Sequence, residues 1–402
     1  MKPEKIIFII CDGMGDRPIP KFENQTPLEA AETPNFDEMA KQGICGKMVV
    51  MGEGIVPHSD DAHLTLFGYD LEKHYPGRGP IEAAGIGFKL EEGDVAFRSN
   101  IGTVDKDWVV KDRRAGRIES TKEFAENLDG MEIDGVRFFV MPGTGYRMII
   151  VLRSKEHRLS DKVSDSDPHE VGKKVMQFKE LDKSKEAKFT AKVLNKFLEK
   201  AYAELKALPI NKERENQGKF PGNIPLMRGA GYHKKIPSLN EMYGVKSACI
   251  AGAGLYKGLG RIMGMDVLEV EGATGLPNTN VKAKFEAAKN ALKKYNFVFV
   301  HIKPTDSLGE DGNADGKKKF IEKIDKALAV LKDADARIVI TADHSTPCEE
   351  KTHSADPVPL LLKDKSIKPD EVQKFGEKEC EKGRIGQIYG KNLMKLVFAE
   401  KI

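Results

Sequence analysis

Short apolar runs rich in Ile, Val and Phe recur along the chain, and each stops at a polar or glycine-bearing turn. Residues 6–10 run into Cys11-Asp12-Gly13, Ser247–Ile250 into Ala251-Gly252, Phe297–Ile302 into Lys303-Pro304-Thr305-Asp306, and residues 337–340 into Thr341-Ala342-Asp343-His344. Uninterrupted runs of this length suit strands buried on both faces, as in a parallel sheet. Between the last three lie segments of helical spacing, 280–295 and 317–332; in the second, Phe320, Ile321, Ile324, Ala327, Leu328 and Leu331 form one stripe. Alternating strand and helix predicts an α/β fold on a mainly parallel sheet. In such sheets ligands bind outside the carboxyl ends of the strands, which places Asp12, Asp306, Asp343 and His344 on one rim.

The middle of the chain has a different texture. Residues 75–239 begin with hairpin-like pieces rich in Gly and Arg and continue into a charged stretch of helical spacing from about 170 to 208. The expected organisation is a discontinuous α/β domain of residues 1–74 and 240–402, with an α+β domain of residues 75–239 inserted into it. A length of 402 residues exceeds what one core usually supports, in keeping with two domains. Hydrophobic residues at 40% against 32% charged are enough for a buried core and exclude a disordered chain. The balance of 65 Lys and Arg against 62 Asp and Glu leaves a net charge of +3, so nothing global points to nucleic acid or a membrane surface as a partner. No run reaches the roughly 18 apolar residues of a membrane span. The run behind Met1-Lys2-Pro3-Glu4-Lys5 is too short and too soon acidic for a signal peptide, so a cytoplasmic protein is expected. The five cysteines, Cys11, Cys45, Cys249, Cys348 and Cys380, form no C-x-x-C pair and are expected to be reduced and mostly structural.

The strand ends and the residues near them supply a mixed carboxylate and imidazole set: Asp12, Asp306, Glu310, Asp343, His344 and His353. Such donors suit Mn²⁺, Zn²⁺ or Co²⁺ better than an all-oxygen Ca²⁺ cage. A single Asp after a strand is ordinarily a cap or turn residue. Asp343 followed at once by His344 is harder to explain by capping, and ligand and turn roles both stand open there. Ser59, in Pro57-His58-Ser59-Asp60-Asp61-Ala62-His63-Leu64, reads first as a helix N-cap. Its second reading is a nucleophile, because a helix amino terminus favours both an alkoxide and an incoming phosphate. Arg78, Arg98, Arg113, Arg114, Arg117, Arg147 and Arg228 cluster without helical period, in settings such as Gly77-Arg78-Gly79-Pro80 and Ala115-Gly116-Arg117 that predict rigid loops. Guanidinium forks on such loops suit capture of phosphate or carboxylate, while others of the set simply solvate the surface. The run Gly252-Ala253-Gly254-Leu255-Tyr256-Lys257-Gly258 has G-x-G-x-x-x-G spacing, which is a poor dinucleotide fingerprint; a packing turn presenting Lys257 is the better reading.

Several segments together carry a resemblance. They are Cys11-Asp12-Gly13-Met14-Gly15-Asp16, Leu66-Phe67-Gly68-Tyr69-Asp70, Gly77-Arg78-Gly79-Pro80-Ile81-Glu82-Ala83-Ala84-Gly85, Ala115-Gly116-Arg117-Ile118, Ser166-Asp167-Pro168-His169, Arg228-Gly229-Ala230-Gly231, Gly272-Ala273-Thr274-Gly275, Thr341-Ala342-Asp343-His344-Ser345-Thr346-Pro347 and His353-Ser354-Ala355-Asp356-Pro357-Val358-Pro359. On these the chain resembles the archaeal-type 2,3-bisphosphoglycerate-independent phosphoglycerate mutases of the alkaline phosphatase superfamily. The resemblance implies a phosphatase-like α/β domain holding two divalent ions (Mn²⁺, Co²⁺, Zn²⁺ or Mg²⁺), an inserted domain that closes over a small phosphoglycerate substrate, and no need of bisphosphoglycerate. It implies one ion on Asp12, Ser59, Asp343 and His344, and a second on Asp306, His353 and the residue four after Asp306. Ser59 would attack the phosphoryl group to give a phosphoserine, with Lys257 neutralising charge. Arg78, Arg98, Arg114, Arg117, Arg147 and Arg228, with Asp167 and His169, would bind substrate.

The chain departs from the family at one ligand. In Asp306-Ser307-Leu308-Gly309-Glu310-Asp311-Gly312 the family carries His where Glu310 stands. A carboxylate still ligates Mn²⁺ or Mg²⁺ and favours harder ions. This keeps two alternatives open: a related metal-dependent phosphomutase or phosphatase on another substrate, or a weakly active regulatory paralogue. His301, ending the preceding strand, is a further candidate to assist, and a homo-oligomer is compatible with everything above.

Overall fold

The apolar runs become the centre of the larger sheet. In the computed structural model, which describes residues 5–400, eight strands pair in the order Asp266–Val267, Ser247–Ile250, Phe297–Ile302, Ile6–Cys11, Arg337–Thr341, Val358–Lys363, Gly43–Val49 and Gly386–Tyr389. Residues 1–4, part of the stretch read above against a signal peptide, lie outside the described residues. The first five strands are mutually parallel. Val358–Lys363 runs antiparallel to both its neighbours, and Gly386–Tyr389 is parallel to Gly43–Val49. Ile6–Cys11 and Phe297–Ile302 are buried at every position, as central parallel strands covered on both faces must be.

The two predicted helices form inside their expected ranges, trimmed by caps. Val281–Ala291 starts where the Asn280 side chain accepts from the Ala283 N–H, and Ala314–Leu328 starts where Asn313 accepts from Gly316. Phe320, Ile321, Ile324 and Leu328 of the second are buried.

The chain divides into two compact units, one made of residues up to Tyr75 and from Ile236 onward, the other of Pro76–Lys235. In the second unit Val95–Val104 pairs antiparallel with Val110–Asp112, Arg147–Arg153 and Ile224–Tyr232, and Val136–Pro142 joins Arg147–Arg153 to Glu132–Ile133. Helix Lys185–Lys206 lays Leu194, Phe197, Leu198, Ala201 and Leu205 into this unit's core, with the Phe197 ring stacked 4.2 Å from Phe138.

Two local expectations are corrected. The helix predicted over 170–208 begins only at Lys185, where the Ser184 hydroxyl accepts from the Ala187 N–H at 3.1 Å. Upstream, Lys174 bridges Val109 and Glu180 bridges Val163, so 170–184 is held in extended contacts instead. The Gly77-Arg78-Gly79-Pro80 segment is not a loop: Gly77 at φ 87° caps helix Arg78–Gly85, and a Cβ on Gly79 would lie 1.9 Å from the Ala96 carbonyl oxygen. Among the described residues no helix is long and apolar enough to cross a membrane.

Candidate active site

Strand register sets one side of the first unit. Cys11 pairs with Ile302 and Ile10 with Thr341, so Asp12, Lys303 and the Ala342-Asp343 turn leave the sheet at one level. The Asp12 N–H continues the ladder to the Ile302 carbonyl at 2.9 Å, and its own carbonyl accepts from the Thr305 hydroxyl. Helix Pro304–Glu310 starts at once and carries Asp306 in its first turn. Gly13, at φ 62°, donates its N–H to Asp343 Oδ1 at 3.1 Å. A Cβ there would lie 2.5 Å from Thr346 Oγ1 and 2.7 Å from the Asp306 Cα, so glycine is what lets three segments meet.

Asp12, Asp343 and His344 form the first group of possible metal donors. His344 Nε2 lies 3.3 Å from Asp12 Oδ1 and 3.4 Å from Asp343 Oδ2. Those two carboxylate oxygens are buried and have no hydrogen-bond partner. Unpartnered anionic oxygens beside an imidazole nitrogen are costly by themselves and fit a divalent cation. Asp12 Oδ2 is engaged instead by the Tyr256 hydroxyl and by Lys303 Nζ at 3.3 Å, with His301 Nε2 3.2 Å away. Burial opposes ionisation of Asp12, but Lys303, His301 and His344 hold its carboxyl well below the usual range. Burial and the Asp12 charge push Asp343 up to about 7, and the paired carboxylates, against burial, raise His344 to about 9.

Asp306, His344 and His353 form the second group. His353 Nδ1 donates to the Pro57 carbonyl at 3.0 Å, which leaves Nε2 facing Asp306 Oδ1 at 3.3 Å and Glu310 Oε1 at 3.9 Å. The His353 ring stacks on His344 at 3.6 Å. Asp306 Oδ2 accepts from Lys303, and Oδ1 from the Thr346 hydroxyl at 2.8 Å. Glu310 is half exposed, and partial burial together with the Asp306 charge raises its carboxyl.

Ser59 is not the helix cap. The helix Ser59–Leu66 is capped by His58, whose N–H donates to Asp61 Oδ1 at 2.9 Å, so Ser59 occupies its first turn with the hydroxyl uncommitted to capping. Its Oγ lies 3.5 Å from His344 Nε2, and its carbonyl accepts from His63 Nδ1 at 2.6 Å. Burial and the neighbouring His301 push His63 down to about 3, so it donates to that carbonyl as neutral imidazole.

The second unit holds a separate basic cluster. Asp167, fully buried, accepts from Arg113 Nε and Nη2 at 3.0 and 2.7 Å and from Arg228 Nη1 at 2.8 Å, and the His169 N–H donates to it at 2.9 Å. Arg98 pairs in register with Arg228 across two strands, and Arg147 faces Asn100 two residues along. Glu82 sits 3.0 Å from Arg78 Nε and 3.6 Å from Arg98 Nε. Burial lowers the Arg98 guanidinium, against Glu82 and with Arg78, Arg228 and Arg147 adding repulsion. Arg114 lies over the Tyr146 ring at 5.3 Å, and Arg117 is exposed on a loop where Ala115, Gly116 and Arg117 all have positive φ.

Sequence reasoning missed three participants, Lys303, Tyr256 and Thr346; of the arginine cluster it named, Arg113 and Arg228 are the two that reach Asp167. Lys257 Nζ is bound to Glu269 at 2.6 Å, while Lys303 is the ammonium between Asp12 and Asp306. The signal for Lys303 was its place directly after a buried strand, the same signal that singled out Asp12.

Comparison with known proteins places these features in context. The family described as 2,3-bisphosphoglycerate-independent phosphoglycerate mutase matches residues 40–211. The chain is 49% identical to the 2,3-bisphosphoglycerate-independent phosphoglycerate mutase 1 of Methanocaldococcus jannaschii, over 99% of this chain and 97% of that one. It is 46% identical to the enzyme of the same name from Archaeoglobus fulgidus, over 97% and 96%. Among solved structures, the cofactor-independent phosphoglycerate mutase of Thermoplasma acidophilum superposes with a TM-score of 0.76 at 36% identity, covering 99% of each chain. A protein from Pyrococcus horikoshii superposes with a TM-score of 0.84 at 34% identity, covering 99% of this chain and 97% of its own.

Proposed function

The chain belongs to the 2,3-bisphosphoglycerate-independent phosphoglycerate mutases, isomerases that interconvert 3-phosphoglycerate and 2-phosphoglycerate, and we propose that Ser59 is the residue that accepts the phosphoryl group and returns it. The observation that carries this reading is the Ser59 hydroxyl, released from capping by His58 and Asp61, in the first turn of a helix and 3.5 Å from His344 Nε2. A helix amino terminus favours a phosphate, and a hydroxyl placed there is ready to attack it.

Asp12, Asp343, His344 and Ser59 would hold one divalent ion, and Asp306, His353 and Glu310 a second. Bound there, such ions would lower the pKa of the Ser59 hydroxyl and neutralise charge on the phosphoryl oxygens. In the first step Ser59 Oγ forms a bond to phosphorus, the bond from phosphorus to the glycerate oxygen breaks, and the proton given up by Ser59 is matched by the one the freed glycerate hydroxyl takes. Phosphoserine then passes the group to the other hydroxyl by the reverse step. Lys303, between Asp12 and Asp306, would add a protein cation to this chemistry. Within the Pro76–Lys235 unit, Arg78, Arg98, Arg113, Arg147 and Arg228 are the guanidinium groups suited to bind the glycerate carboxylate.

The test uses chelator-stripped protein without bisphosphoglycerate, with Mn²⁺, Co²⁺, Zn²⁺ and Mg²⁺ added back singly. Metal-dependent conversion and acid-stable label on Ser59 from ³²P-phosphoglycerate are expected, both lost in Ser59→Ala. Turnover surviving in Ser59→Ala would overturn the nucleophile assignment.

A further inference from the structure

Around the two donor sets, Lys303 and one fully buried hydroxyl touch both sets and belong to neither. Thr346 Oγ1 lies 2.8 Å from Asp306 Oδ1 and 3.0 Å from His344 Nδ1, and it is fully buried. A threonine hydroxyl has a single proton, and Asp306, an ionised carboxylate flanked by Lys303 and His353, can only accept. The proton therefore goes to Asp306, and the hydroxyl oxygen must accept from His344 Nδ1–H.

We propose that Thr346 is a positioning residue that fixes His344 as the Nδ1–H form and so commits its Nε2 to the Asp12, Asp343 and Ser59 side alone, while holding Asp306 for the other. This rests on the metal-dependent reading above. The chemistry matters because His344 is placed near both donor groups, yet one imidazole with Nδ1 occupied offers a single lone pair. With Nε2 facing Asp12 Oδ1 and Asp343 Oδ2, the second site is left with Asp306, His353 and Glu310. Hydrogen bonding to the far nitrogen of a ligating imidazole, and to the far side of a ligating carboxylate, is how an outer shell orients a metal site.

The surroundings are shaped for this hydroxyl. Gly13 approaches so closely that a Cβ would lie 2.5 Å from Thr346 Oγ1, and a Cβ on Gly309 would lie 2.9 Å from its Cγ2. Lys317 Nζ, itself buried, donates to the Thr346 carbonyl at 2.9 Å and to Asp16 Oδ2 at 2.8 Å, which anchors the backbone that aims the side chain. Thr346→Val keeps the shape and removes both hydrogen bonds; Thr346→Ser keeps both hydrogen bonds and removes the methyl.

The experiment measures Mn²⁺ binding to the full chain by calorimetry and reads the His344 tautomer from long-range ¹⁵N–¹H imidazole correlations in the wild-type apoprotein above about pH 10, where the imidazole, raised to about 9, is neutral and carries a single proton. Thr346→Val is expected to lose about tenfold to a hundredfold in affinity at both sites, with Thr346→Ser close to wild type. The wild-type spectrum is expected to show a proton on His344 Nδ1. Wild-type affinity in a folded Thr346→Val protein, or a His344 carrying its proton on Nε2 alone, would overturn the inference. If Thr346→Val does not fold, the wild-type tautomer decides alone. Should the wild-type chain bind no divalent ion at all, the metal reading fails, and the spectrum still judges what Thr346 does to His344.

Discussion

Replacing Glu377 by Gln should make the protein more stable, and only above about pH 5. The carboxyl of Glu377, a half-buried residue, accepts from the Thr26 hydroxyl at 2.7 Å and the Asp16 N–H at 3.2 Å, and is pushed up to about 7 by desolvation, with Glu29 adding repulsion. A folded pKa above the unfolded value means that the folded state binds the extra proton. Stability from this group is complete below about pH 4.5, where both states are protonated, and is lost as the pH rises through 7. A rise from 4.5 to about 7 corresponds to an order-of-magnitude loss of 3 kcal/mol. Glutamine reproduces the protonated form: its oxygen can accept from Asp16 while its amide donates to Thr26, whose oxygen already accepts from the Glu29 N–H. Thermal melts of both proteins from pH 4.5 to 8 are the assay. The curves should coincide at the acid end and separate by roughly 6–12 °C at the alkaline end, taking about 2–4 °C per kcal/mol for a domain of this size. Activity should be unaffected, since Glu377 touches the loop beneath the site and none of the donor atoms. Parallel melting curves across the range would refute the reasoning.

Asp167→Asn removes the buried charge that orients Arg113 and Arg228. It should cost about 3–5 kcal/mol of stability and raise KM more than it lowers kcat; an unchanged KM would show that the cluster does not hold substrate. Lys303→Met should lower kcat by about a hundredfold or more, well beyond the effect of Lys257→Met, because Lys303 faces Asp12 and Asp306 while Lys257 is paired with Glu269. Equal losses in steady-state assays would reverse that ranking. Glu310→His should move the preferred ion in add-back assays from Mn²⁺ or Mg²⁺ toward Zn²⁺ or Co²⁺, and an unaltered order of ions would take Glu310 out of the second site.

The parts of this molecule that were legible in the sequence share a physical cause. Central parallel strands are apolar at every position, so Phe297–Ile302 could be bounded to the residue, and the first polar residue beyond each strand had to lie at the sheet's carboxyl edge. Asp12, Asp306 and Asp343 could be gathered on that argument alone. Side-chain direction out of a turn carries no such signal. Arg113 and Arg114 are adjacent and identical in type, and what separates them is Asp112, whose carboxylate accepts from the N–H groups of Arg114 and Gly116 and sets the loop. Ser59 read as a cap because serine at a helix start usually is one. Only the His58 N–H bond to Asp61 shows that the capping is done elsewhere.

Lysine-rich composition misled in the same way over residues 170–184. Lys and Glu favour helix when nothing else competes, but the bridges from Val109 and Val163 do compete, and the helix waits for the Ser184 cap. Thr346 is the extreme case. Three residues after Asp343 it has the look of a turn residue, and its significance comes from Gly13, more than 300 residues earlier, and from Asp306, forty residues earlier, both within contact of one hydroxyl. A residue whose role is to accept from one ligand and donate to another is defined by two distances at once, here a local one to His344 and a long-range one to Asp306. Local pattern therefore finds the ligands of such a site, and only the tertiary structure finds the group that decides which way each of them faces.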